Sequence, residues 1–114
     1  MIWNEWRKEK FRWLNILQRS RDKTVIYGCR PEDCVVGLIV KQPLESEIEE
    51  MKKFGKWIEK QYKKSRCEVK KQAGEDGVVL ICFVREKDLN NAMVDMIDFA
   101  DKLVTESWKP LSEE

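Results

Sequence analysis

The sequence predicts an α+β domain in which a four-stranded antiparallel sheet packs with three helices, in the order α-β-β-α-β-β-α. Two pairs of strand-like segments are each separated by a short turn sequence, which is the pattern of a β-hairpin. Three longer segments repeat apolar residues at helical spacing. With 114 residues, of which 42% are apolar, the chain has the size and composition of one globular domain, taken as 1–114.

The first half of the chain is predicted to contain one helix and then a ββα unit. The helix covers residues 2–20, where apolar residues recur without proline or glycine. The ββα unit covers 24–64, and its strands, TVIYGCR and CVVGLIVK, flank the turn sequence RPED. Pro43 marks the start of the unit's helix, which has glutamates in its first turns and lysines in its last, as the helix dipole favours.

A second ββα unit is predicted at 66–108. RCEVKKQA alternates polar and apolar residues, GEDG is a turn, and VVLICFV suits a central strand because it is apolar on both faces. Asp88 can cap a helix that runs to about Trp108, before the short acidic tail 109–114. The inward stripe of this helix is predicted to contain Leu89, Ala92, Met93, Met96, Ile97, Ala100, Leu103 and Val104.

The opening sequence WRKEKFRW looks like aromatic residues interleaved with bases, but a helical projection separates the two groups. The apolar arc of the first helix contains Trp3, Trp6 and Trp13. The opposite ridge contains Lys8, Arg12, Asn15 and Arg19. A stacking platform for nucleic acid needs aromatic rings among the bases. We therefore expect the three tryptophans to pack in the core or in a dimer interface.

The second helix differs, because Trp57 projects away from its apolar stripe. One outward ridge is predicted to contain Lys53, Trp57, Lys60 and Lys64, with Lys56 alongside. An outward tryptophan among lysines suits stacking on a base with lysines on phosphates, or contact with a protein partner. Cover by a loop or by the first helix explains the same position without any ligand.

No metal site is predicted. Asp95, Asp98 and Asp101 lie on the outer arc of the third helix, where a solvated acidic face is the expected arrangement. The four cysteines include no Cys-x2-Cys pair, and the chain has no histidine to complete a zinc site. Two pairs, Cys29 with Cys34 and Cys67 with Cys82, lie close enough in the predicted hairpins to bond, as thiols or as disulfides.

One short element resembles an enzyme motif. Glu68 and Lys70 stand two residues apart in CEVKK, on one face of a predicted strand. This spacing resembles the Glu-x-Lys element of the restriction-endonuclease-like nuclease families. The resemblance implies a metal-dependent nuclease in which Glu68 helps to hold Mg²⁺ and Lys70 assists the attacking water. Those families also have an aspartate on a preceding strand, and Asp33, the candidate here, lies in a predicted turn. Alternating charges on an exposed strand explain the same residues.

The absence of histidine, of a glycine-rich phosphate loop and of a nucleophile with a base makes a non-enzymatic role the first expectation, with no cofactor. We predict a protein-interaction or adaptor module, a homodimer, that uses Trp3, Trp6, Trp13 and Trp57. The alternative is nucleic-acid binding through Lys53, Trp57, Lys60 and Lys64, together with Lys8, Arg12 and Arg19.

We expect no membrane contact and a cytoplasmic location, because no segment resembles a signal peptide or a membrane span. The abundance of lysine and glutamate resembles the surfaces of proteins from hot environments.

Overall fold

In the described part of the chain, a five-stranded antiparallel sheet forms the centre, with strand order β1-β2-β3-β5-β4. The structure is a computed structural model that describes residues 14–20, 22–71 and 77–105. The strands are β1 (Asn15–Ser20), β2 (Lys23–Cys29), β3 (Cys34–Lys41), β4 (Arg66–Lys71) and β5 (Gly77–Val84). The helices are α1 (Glu45–Gln61) and α2 (Leu89–Thr105), and a short 3₁₀ helix at Glu86–Asp88 precedes α2.

The predicted count of four strands and three helices is wrong, although the class remains α+β. Residues 15–20 belong to the predicted first helix over 2–20, but they form β1 and pair with β2 at the edge of the sheet. Residues 1–13 of that predicted helix lie outside the described residues. The described part of the chain therefore has five strands and two α-helices.

The packing of β1 explains why the helical pattern failed there. Leu14 and Leu17 are three residues apart and share one face of a helix, but the structure places them in clusters on opposite faces of the sheet. A β-bulge between Ile16 and Gln18 shifts the register of β1 against β2. The side-chain amide of Gln18 then donates a hydrogen bond to Asp101 of α2 at 3.2 Å.

Both helices lie on one face of the sheet, where most of the core is found. Alternate residues of β3 and β5 meet the apolar faces of α1 and α2 in this layer. The rings of Phe54 in α1 and Phe99 in α2 stack with centroids 4.3 Å apart, and both side chains are fully buried. The opposite face has its own buried cluster, with residues Leu14, Ile26, Val35, Ile39, Val79 and Ile81.

The start of α1 is held to the sheet by Glu47. Its Oε1 atom accepts the backbone N–H of Leu44 at 2.8 Å, which satisfies one of the unpaired donors of the first helical turn. Its Oε2 atom lies 3.3 Å from Nζ of Lys23, which is 5% exposed. The helix begins at Glu45, two residues after the start predicted from Pro43.

The hairpin between β2 and β3 is closed by a disulfide. Cys29 and Cys34 are register partners at the end of the two strands, and their sulfur atoms are bonded. The guanidinium of Arg30 donates to both carboxylate oxygens of Asp33 across the same turn, at 2.8 and 3.0 Å. Of the two cysteine pairs that the sequence left open, this one is a disulfide, while Cys67 and Cys82 are free thiols.

Neither α1 nor α2, the α-helices of the described residues, has the length and apolar character of a membrane-spanning helix.

Candidate functional site

A basic segment runs from the middle of α1 into β4. Residues 52–66 contain seven lysines or arginines and one glutamate. We call the basic surface the exposed lysines of this segment that continue along α1 and past its end: Lys53, Lys56, Lys60, Lys63 and Lys64. The chain as a whole has a net charge of +1, so this excess of positive charge is local.

The positive charges of the basic surface have few ion-pair partners among the described residues. Lys53 lies 3.9 Å from Glu50 in an i, i+3 pair, which is a weak contact at a solvated position. No ion pair joins the other four lysines to any residue that the structure describes. Lys64 has φ 63°, in the left-handed region, just beyond the end of the helix.

Trp57 is less exposed than the helical projection predicted. Its side chain is half-buried and packs against the core, and its ring stacks on Phe54 with centroids 5.8 Å apart. Part of its ring surface is therefore already used within the fold. Lys53 and Lys60 lie four residues before and three residues after Trp57 on α1. The half-buried ring of Trp57 is nevertheless not fully open for stacking on a base.

The other predicted binding residues are not gathered at this surface. Arg19 lies on β1, and the basic surface adjoins β4, so the two occupy opposite edges of the sheet. Lys8 and Arg12 lie outside the described residues. Trp3, Trp6 and Trp13 also lie outside them, so their predicted role in a partner interface stays a prediction.

A groove lies between α1 and β4 and has a cavity volume of about 370 Å³. We call it the thiol groove, because Cys67 of β4 is part of its wall. Lysines and glutamates of α1 line one side of it: Glu49, Lys52, Lys53, Lys56 and Glu59. Gly55 allows α1 to lie close to the strand here, since a Cβ atom at that position would be 3.2 Å from Cβ of Cys67.

Two free thiols meet at the inner side of this groove. Cys67 and Cys82 are register partners on β4 and β5. Cys67 is half-buried, whereas Cys82 is fully buried in the core layer under the helices. Burial, followed by the contact with Cys67, raises the pKa of the Cys82 thiol well above its ordinary value. The backbone N–H of Cys67 donates to Glu59 Oε2 at 2.8 Å, which joins β4 to α1.

Glu68 and Lys70, the residues that resemble a nuclease element, pair with each other. Their charged atoms lie 3.2 Å apart on the exposed side of β4, which is an edge strand. Asp33 is held by Arg30 in the turn between β2 and β3. Within residues 14–20, 22–71 and 77–105, no group of three or more histidine, cysteine, aspartate or glutamate side chains is placed to hold a metal ion.

A polar contact ties the end of α1 to α2. The hydroxyl of Tyr62 donates a hydrogen bond to Asp95 Oδ2 at 2.5 Å. Partial burial and the neighbouring Asp95 carboxylate raise the pKa of the Tyr62 phenol above its ordinary 10.0. Partial burial also raises the pKa of the Asp95 carboxyl, although the hydrogen bond from Tyr62 acts in the opposite direction. Asp95 was predicted on a solvated acidic face, and the structure gives it this structural partner.

We expect Tyr62→Phe to lower the free energy of unfolding by about 1–2 kcal/mol near neutral pH, because the Asp95 carboxylate loses its donor. The pKa of Tyr62 is higher in the folded state than the ordinary 10.0 of the unfolded chain. Its contribution to the free energy of unfolding is therefore complete below pH 10.0 and declines above that pH, where the phenol of the unfolded chain ionises first. The difference between wild type and variant should therefore shrink above pH 10. Urea unfolding at several pH values measures it. A constant difference across that range would show that Tyr62 does not titrate differently in the two states.

The lysine ridge of α1 was predictable from the sequence, but the thiol groove was not. Helical projection places the lysines outward, whereas the groove depends on which strand lies under α1. Gly55 is a signal that points to it, because a glycine inside an apolar helical stripe marks a close approach.

Comparison with protein-family models, with curated proteins and with solved structures finds no match to this chain.

Proposed function

We propose that this chain is a non-enzymatic nucleic-acid-binding module that holds the phosphate backbone with the basic surface of α1. The single observation that carries the proposal is the set of exposed lysines without an ion-pair partner among the described residues, at Lys56, Lys60, Lys63 and Lys64. Such lysines release counterions when they meet phosphates, and that release supplies most of the affinity in binding that does not depend on base sequence.

The form of the surface favours backbone contacts over base reading. Trp57 already stacks on Phe54, so the role of its ring is chiefly to hold α1 against the core. The lysines are long, flexible point charges that suit phosphates of many sequences. We therefore expect modest affinity, weak sequence preference and strong dependence on salt.

The protein-interaction hypothesis has less support from the described residues. Three of its four tryptophans lie outside them, and Trp57 is half-buried in the fold. The homodimer accordingly stays a prediction.

We expect Lys60→Ala/Lys64→Gly to weaken binding to a fluorescently labelled oligonucleotide on the order of ten-fold at low salt, because two phosphate contacts are lost. Alanine is compatible with the helix at position 60, and glycine accepts the positive φ at position 64, so the fold should be retained. Fluorescence anisotropy measures the affinity. Its logarithm should fall linearly with the logarithm of salt concentration, and the slope should be smaller in the variant.

The matched control is Lys41→Ala/Lys71→Ala, which removes the same net charge from exposed positions near the start of α1. We expect this control to bind nearly as tightly as the wild type. Equal losses in both variants would mean that only net charge matters, and absence of binding to any oligonucleotide at low salt would overturn the proposal. Trp57→Phe should change the affinity by less than the lysine variant does.

A further inference from the structure

We propose that Cys67 and Cys82 form a dithiol site at which a small disulfide that carries carboxylates is reduced, with formation of a second cross-strand disulfide in the sheet. The juxtaposition that carries the proposal is a half-buried thiol in a lysine-lined groove with a fully buried thiol directly behind it. The groove shares Lys53 and Lys56 with the basic surface, but the reaction of the two thiols does not depend on nucleic-acid binding.

The sheet already contains one bonded pair with the same relation. Cys29 and Cys34 are register partners on neighbouring antiparallel strands, as are Cys67 and Cys82. Cys34 and Cys82 also belong to the same buried cluster, on β3 and β5, which are adjacent strands. Directly opposite residues lie within the range of Cα separations that a disulfide can bridge.

The two thiols differ in access, and this difference fixes the order of reaction. Cys67 lines the thiol groove and is half-buried, so it is the thiol residue that a small molecule in the groove meets. Cys82 is 0% exposed. Burial in the core layer also raises the pKa of the Cys82 thiol, so Cys67 is the thiol that reacts first and Cys82 the one that reacts second.

The walls of the groove favour an anionic reactant. The lining contains three lysines, Lys52, Lys53 and Lys56, against two glutamates, Glu49 and Glu59, which leaves one positive charge in excess. Lys52 pairs with Glu49 at 3.6 Å, whereas Lys56 has no ion-pair partner among the described residues. Lysine ammonium groups near Cys67 can hold the carboxylates of a small disulfide during attack.

The chemistry balances with a small disulfide as the oxidant. The Cys67 thiolate attacks one sulfur of the disulfide, forms a mixed disulfide and releases the other half as a thiolate. Cys82 then gives up its proton and attacks Cys67 Sγ, which forms the Cys67–Cys82 bond and releases the second half. Two electrons pass from the protein dithiol to the small disulfide, and the two protons end on the two released thiols.

Oxidised glutathione, a small disulfide with carboxylates, is the probe. In the wild type we expect an intact mass lower by two hydrogens, and a peptide map that shows Cys67 joined to Cys82. In Cys82→Ser we expect a stable mixed disulfide on Cys67, because the second step has no thiol. A wild-type protein that keeps glutathione on Cys67, or whose Cys67 does not react at all, would overturn the proposal.

A second comparison tests the role of the lysines. In Lys52→Ala/Lys56→Ala, the reaction with oxidised glutathione should be roughly five-fold slower, the equivalent of about 1 kcal/mol for a surface charge interaction. The reaction with uncharged hydroxyethyl disulfide should keep its rate. Equal slowing of both reagents would mean that the variant alters access to Cys67 and that the groove does not select for charge.

Discussion

We expect Phe54→Ala to lower the free energy of unfolding by about 3–5 kcal/mol, because a buried phenylalanine is replaced by a cavity. Phe54 is 0% exposed and stacks with two other rings. Its centroid is 4.3 Å from that of Phe99, with planes 6° apart, and 5.8 Å from that of Trp57. The substitution therefore removes the ring contact between α1 and α2, together with the support of Trp57.

Chemical denaturation followed by circular dichroism measures this loss, and Val94→Ala provides the control. Val94 lies on α2 and is 64% exposed, so its truncation should change stability by less than about 0.5 kcal/mol. The emission of the tryptophans should also shift in Phe54→Ala, because Trp57 loses its stacking partner. A loss below about 1 kcal/mol would contradict the packing described for the two helices.

Phe99 shows a limit of sequence-based prediction in this chain. The inward stripe predicted for the helix that the structure shows as α2 runs from Leu89 to Val104 and does not include Phe99. The Phe99 side chain is nevertheless fully buried. A stripe drawn from spacing alone has uncertain edges, and the position of the neighbouring helix decides which edge residues become buried. The Phe54 ring on α1 supplies that neighbour.

The first strand shows a deeper limit. Apolar residues at helical spacing predict a helix over residues 2–20, whereas residues 15–20 pair with the edge of β2. Pairing with a neighbouring strand is a tertiary effect that local spacing does not contain. The two hairpins were easier to predict, because β-branched runs and turn sequences are adjacent in the chain.

The candidate site also has one part that the sequence predicts and one part that depends on tertiary packing. Exposed lysines on α1 follow from helix geometry, since each lies on the outer side of a single element. The thiol groove needs α1, β4 and β5 in their final arrangement, with Cys67 opposite Cys82. The sequence predicts the two cysteines as neighbours in a hairpin, whereas the groove beside Cys67 depends on the position of α1.

We expect Gly37→Ala to lower the free energy of unfolding by about 2–3 kcal/mol, because the added methyl group has no room. Gly37 lies in β3, the central strand, between register partners Ile26 and Ile81. A Cβ atom at Gly37 would be 2.8 Å from the backbone oxygen of Leu80 and 3.2 Å from Cγ1 of Ile26. A backbone oxygen in the middle of a paired sheet cannot move without disturbing the ladder.

The matched control is the same substitution at Gly55, in α1. A Cβ atom there would lie 3.2 Å from Cβ of Cys67 and 3.3 Å from Cδ1 of Leu80. The Leu80 side chain can rotate away, and Cβ of Cys67 has to move by only a few tenths of an ångström together with its edge strand. Alanine also gains about 1 kcal/mol of helix propensity over glycine, which offsets the tighter packing. Gly55→Ala should therefore stay within about 1 kcal/mol of the wild type in urea denaturation. A change of less than about 1 kcal/mol in Gly37→Ala would contradict this prediction. It would mean that β3 and β5 can move apart at Leu80 to make room for the added methyl group.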